Sequence, residues 1–129
     1  MPATTVEVVR EYSRDEETAI VEAVHAALVE GIRIPEGDRT VRLIVHERHR
    51  VAIPPDKSDR YTLVSVDLFA GRSLDAKRRL YQALVTNLAK LGIPAEDVKV
   101  LLREIPPENW GIRGGRPASE VELGFKIDV

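Results

Sequence analysis

Apolar positions along this chain change period several times, and the changes mark its elements. Val6, Val8 and Val9 form a short β-type run, and Ser13-Arg14-Asp15-Glu16 has the Ser-x-x-Glu form of a capping box. Ile20, Val24, Ala27, Leu28 and Gly31 then recur at i, i+4, i+7, i+8 and i+11, one stripe of a 3.6-residue helix predicted over Arg14 to Glu30. Pro35 and Gly37 end that pattern, and Thr40 to His46 is a second β-rich run.

The same order then returns. Tyr61 to Phe69 reads as a strand, Gly71-Arg72-Ser73 as a turn and cap, Leu80, Leu84, Leu88 and Leu91 as a helical stripe, and Val98 to Leu102 as a closing strand. A shift of 60 carries Ser13 to Ser73, Ile20 to Leu80, Ala23 to Ala83, Val24 to Leu84 and Leu28 to Leu88, and a shift of 59 carries Ile34-Pro35 to Ile93-Pro94 and Asp38 to Asp97. Ordered matches of this kind point to an internal duplication. The expected fold is α/β (α+β): two tandem β-α-β units, about 2–48 and 61–105, forming a four-stranded mixed sheet with both helices on one face. A C-terminal tail, 106–129, completes a single domain 1–129, and its Val121 to Ile127 is strand-like. Strand runs with apolar residues on both sides leave a bare face, for which self-association is the expected cover.

Composition narrows the function. The 129 residues are 43% apolar and 31% charged, which suits one folded core, and no cysteine is present for disulfides, thiolate metal sites or a cysteine nucleophile. A formal charge of −2 gives no overall cationic field for nucleic acid, and no apolar run reaches the ~20 residues of a membrane span. Cytoplasm is the expected location.

Candidate chemistry is sparse. Pro2 follows the initiator Met, and a small second residue favours removal of that Met, which would leave a secondary amine at the start of a strand. An α-amino group ordinarily titrates near 7.7–8.0, and burial or a nearby cation lowers an amine's pKa further, so such a nitrogen suits proton transfer. Arg72 immediately precedes the N-cap candidate Ser73, where guanidinium and helix N–H groups together suit a carboxylate; the competing reading is a solvated loop arginine. Asp38 and its counterpart Asp97 read equally well as turn caps. His46 and His49 do not make a metal site, since a β-run places i and i+3 on opposite faces and no third ligand accompanies them. The basic cluster Arg39, Arg42, His46, Arg48, His49 and Arg50 reads as a solvated strand end, Gly111 to Gly115 as a mobile turn, and Trp110 as a packing anchor or pocket wall.

Taken together these pieces resemble the tautomerase superfamily, the group that includes 4-oxalocrotonate tautomerase, macrophage migration inhibitory factor and malonate semialdehyde decarboxylase. The resemblance rests on Pro2, the doubled unit, Ile34-Pro35-Glu36-Gly37-Asp38-Arg39, Ala70-Gly71-Arg72-Ser73, Leu91-Gly92-Ile93-Pro94 with Glu96-Asp97-Val98, and Glu108-Asn109-Trp110-Gly111, and is strongest to the decarboxylase-like branch. It implies a homotrimer acting without cofactor or metal on a small oxo acid. Pro2, Asp38 and Arg72 would be catalytic, and Arg72, Trp110, Ile112 and Arg113 would bind substrate. The implied activity is keto-enol tautomerisation, with a decarboxylase or hydratase activity as the alternative. A non-catalytic trimeric ligand-binding or interaction protein is the alternative of another class. Two departures bear on substrate: Ala70 stands where decarboxylase members often carry a second arginine, and Trp110-Gly111-Ile112-Arg113 replaces a Trp-Ser-Phe-Gly wall. Arg113 is the candidate to replace the missing cation.

Overall fold

The computed structural model describes residues 2–124. Strand β1 (Ala3–Val8), helix α1 (Arg14–Ile32) and strand β2 (Val41–Val45) form the first unit, and β3 (Thr62–Phe69), α2 (Leu74–Ala89) and β4 (Val98–Ile105) the second. The sheet order is β2-β1-β3-β4, with β1 parallel to β2, β3 parallel to β4, and the two central strands antiparallel. Each unit is thus a parallel pair joined by its crossover helix, and the units meet edge to edge.

Local chemistry sets the helix limits. The Ser13 hydroxyl accepts the Glu16 amide at 3.1 Å while the Ser13 amide donates to the Glu16 carboxylate at 2.9 Å, so the predicted capping box is made in full. Ser73 caps α2 through the Ala76 amide at 3.1 Å. Helix α1 runs two residues past its predicted end at Glu30, to Ile32, and is capped by Arg33 in the left-handed conformation with φ 57. Helix α2 stops at Ala89, leaving Leu91 half-buried beyond it.

Ile20, Val24, Leu28 and Ile32 of α1 and Leu80, Leu84 and Leu88 of α2 pack on Val6, Val8, Val64, Val66 and Leu68 in one core, which places both helices on the same face of the sheet. Gly31 lies where the helices approach most closely: a Cβ there would sit 2.5 Å from Leu80 Cα. The glycine in the apolar stripe therefore serves helix–helix contact, not helix propensity.

The open face differs from the apolar surface expected. Ile44 and Leu101 are exposed there, but polar pairs lie between them: Arg42 donates to Thr5 Oγ1 at 2.8 Å, Arg103 to Asp67 at 2.5 Å, and His46 Nε2 lies 2.9 Å from Glu7 Oε1. The Gly111 to Gly115 segment is a small hairpin of β5 (Gly111–Ile112) and β6 (Arg116–Pro117). Residues 121–124 form no strand, and the rest of the strand expected over Val121 to Ile127 lies outside the described residues, as does Met1. No helix of the described residues is long and apolar enough to cross a membrane.

Candidate active site

Strand directions gather several of the candidate residues at one end of the sheet. β1 and β2 begin there, and β3 and β4 finish there. Pro2 is buried one residue ahead of the Ala3–Asp67 pair, so continuation of the register puts it opposite Leu68. Asp38 precedes β2, its turn closed by a 3.0 Å hydrogen bond from its own amide to the Pro35 carbonyl. Arg72 follows β3 by three residues and lies within the charge field of Asp38.

Arg72 is not the solvated loop residue that the sequence left open; it is 6% exposed. The turn that turns it inward needs Gly71, whose φ of 126 is costly for any residue with a Cβ. The Ala70 amide donates to the Ile105 carbonyl at 3.2 Å, tying the same turn to the end of β4. Arg72 Nη1 donates to the Phe69 carbonyl at 3.3 Å, while Nε and Nη2 are buried with no hydrogen-bond acceptor among the described residues. Burial pushes the guanidinium below its ordinary range, and the carboxylates of Asp38 and Glu104 pull it part of the way back. The arrangement is a buried cation with two donors available, the requirement for gripping a small carboxylate.

Glu104 and Lys77 were not read from the sequence. Lys77, in the first turn of α2, donates to the Glu104 carboxylate, which also accepts the Gly71 amide, and the Lys77 bond, followed by these smaller influences and the charge of Arg72, holds that carboxyl below its ordinary value. The signal existed: Val98, Val100 and Leu102 pair with inward residues of β3, and by the same alternation Glu104 falls opposite Leu68, where an apolar residue is expected. A carboxylate there anchors the turn that carries Arg72.

The duplicated aspartates have parted in role. Asp97 is buried and accepts the Ser58 amide at 3.2 Å and the Ser58 hydroxyl, which ties the inter-unit connection to the start of β4. Asp38 instead faces the charge of Arg72. Trp110 packs edge-on against Phe69 with ring centroids 5.0 Å apart and donates its indole N–H to the Ile105 carbonyl at 3.3 Å, so it forms a wall at the same end. Ile112 continues that wall on β5 and is half-buried. Arg113, in the left-handed conformation at φ 49, donates to the Glu122 carbonyl at 2.7 Å; this bond holds it to the tail.

The geometry has counterparts in known proteins. Residues 38–113 match the family model described as tautomerase enzyme. A probable tautomerase of Ralstonia nicotianae is 40% identical over 53 residues, which are 40% of this chain and 76% of that shorter protein. The 2-hydroxymuconate tautomerase of Comamonas testosteroni is 34% identical over 58 residues, 44% of this chain and 87% of its own. Among solved structures, the FG41 malonate semialdehyde decarboxylase inhibited by 3-bromopropiolate superposes with a TM-score of 0.84 at 27% identity, covering 94% of this chain and 98% of that one. A fused 4-OT described as a symmetric trimer superposes at 0.75 with 32% identity, covering 91% and 96%.

Proposed function

The chain belongs to the tautomerase family, and from that premise we propose that it is a cofactor-independent keto-enol tautomerase that uses Pro2, freed of Met1, as general base and acid on a small oxo acid. Arg72 holds the substrate carboxylate through Nε and Nη2. The Pro2 nitrogen accepts a proton from the enol, and a proton is returned to the neighbouring carbon, so the ketone forms with no net proton change. Asp38 sets the charge opposite Arg72, and Trp110 and Ile112 wall the site against water. Arg113 lies on the rim, where release from Glu122 would bring a second cation.

The observation that carries this reading is the buried guanidinium of Arg72, with two open donors, at the end of the sheet where Pro2 leads into β1. A charge is buried without its full complement of acceptors only at a free-energy cost, and a carboxylate ligand removes that cost. The likeness to a malonate semialdehyde decarboxylase over 94% of the chain favours a second reading, in which the same residues decarboxylate or hydrate a short oxo acid with Pro2 protonated. The symmetric trimer among the structural neighbours supports a homotrimer for this chain.

Ketonisation of phenylenolpyruvate tests the proposal. Pro2→Ala is expected to lower kcat/KM by roughly 10²-fold or more, the contribution of a positioned base. Unchanged activity removes Pro2 from the mechanism, and full retention of Met1 in the intact mass of cell-made protein favours the non-catalytic binding role.

A further inference from the structure

The doubled unit has a cavity at the end of the sheet opposite Pro2. Shifts of 60 for β1 onto β3 and 59 for β2 onto β4 carry the pair Thr4–Val41 onto Val64–Val100, and exchange of the central strands carries Ala3–Asp67 onto Leu63–Glu7; all four pairs are present. The protomer therefore has an internal two-fold that maps the Pro2 end of the sheet onto the opposite end. There Thr62 stands for Pro2, Val9 for Phe69, and Val51 for Trp110, and the turn Arg48–Arg50 matches the turn Pro107–Asn109 by the same shift of 59.

At that opposite end lies a cavity of about 230 Å³ whose lining includes Glu7, Val9, His46, Arg50, Val51 and Tyr61. It has the volume of roughly eight waters, below the ~300 Å³ of the smallest drug-sized sites, so its occupant is small. Val9, Val51 and the Tyr61 ring give it an apolar wall. The two-fold puts Tyr12 in place of Arg72, and the cation of the same loop, Arg10, is paired with Asp59 at 3.1 Å and is not part of the cavity lining. Arg50 supplies one, and its guanidinium has no hydrogen-bond or ion-pair partner among the described residues. His46 donates to the Glu7 carboxylate at 2.9 Å, so one wall carries a fixed negative charge. That charge opposes a second carboxylate on the ligand, while Arg50 favours the first. Thr62 lies within the chain and has no free amine, so proline chemistry is closed to this end.

We propose that this cavity is a second ligand site, which binds a small apolar monocarboxylate through Arg50 and does not transform it. The inference stands on the duplicated geometry and does not depend on Pro2 acting as a base. An amide NMR titration with benzoate, run on Arg72→Met protein so that the first site is silenced, is expected to give saturable shifts at Val9, His46, Arg50 and Tyr61. Arg50→Ala is expected to weaken this binding about tenfold or more, and Val51→Trp, which sets an indole in place of a valine that lines the cavity, is expected to abolish it. Absence of saturable shifts at those residues overturns the proposal, and so does binding that keeps its affinity in either variant.

Discussion

Replacing Arg72 with Met should separate binding from stability. In the folded chain the guanidinium has one hydrogen bond, to the Phe69 carbonyl, and two buried donors with no acceptor among the described residues. Each unmet donor costs about 1–3 kcal/mol, whereas the bond that is made returns about 1.5–3 kcal/mol because the donor is charged. Asp38 and Glu104 return part of the remainder, but the guanidinium still lies below its ordinary range, so burial outweighs their attraction. Glu104 keeps Lys77 and the Gly71 amide after the substitution. Met is unbranched and fills irregular space well, so little cavity is expected. Stability should then stay level or rise by about 0–2 kcal/mol, as when a buried charge gives way to an apolar side chain of similar volume. Binding of carboxylate substrate should fall on the order of 10- to 100-fold, with the loss mainly in KM for phenylenolpyruvate. Urea unfolding at fixed protein concentration with an unchanged m value reads the first effect. A loss of about 3–5 kcal/mol, the signature of a broken buried ion pair, would refute the argument and make Arg72 a structural residue.

Two further substitutions probe the fold around the site. Gly31→Ala places a Cβ 2.5 Å from Leu80 Cα and 2.8 Å from Leu80 N, so α1 and α2 must separate, at about 1–3 kcal/mol or more; the melting temperature should fall by at least about 4 °C, and a rise would mean that helix propensity outweighs the contact. Glu104→Gln should destabilise at neutral pH, with an effect that fades in acid. The carboxyl sits below its ordinary 4.5, so its contribution is complete above that value and is lost as the pH drops through the folded value. A gap between wild type and variant that is the same at neutral pH and in acid would show that the charge is not what contributes.

The elements were legible because local signals agreed with one another. Ser13 and Glu16 made a full capping box, the stripe from Ile20 to Leu28 gave the face of α1, and the like-for-like shifts of 60 and 59 gave the order of the second unit. The site was less legible, because its character depends on burial and on pairs far apart in sequence. Arg72 looks like any loop arginine until Gly71 turns it inward beneath Phe69. Asp38 and Asp97 share a position in their units, and only the Ser58 partner, 39 residues before Asp97, separates the structural one from the one facing Arg72. Glu104 could have been found, since it breaks the inward alternation Val98, Val100, Leu102. The turn at Gly111 to Gly115 reads as loose from its glycines, yet Trp110 packing on Phe69 and the pairing of Ile112 with Arg116 hold it as a hairpin.

The claim on which the mechanism turns is that a free Pro2 amine and the Arg72 guanidinium address the same small carboxylate. 3-Bromopropiolate, which inhibits the structurally similar FG41 decarboxylase, offers a carboxylate and an electrophilic carbon in one molecule. After incubation, peptide mass spectrometry should find one covalent adduct on the N-terminal peptide, at Pro2, missing from Pro2→Ala protein and formed on the order of tenfold or more slowly in Arg72→Met. Labelling confined to lysines, or of equal extent in the Pro2→Ala protein, would contradict the account.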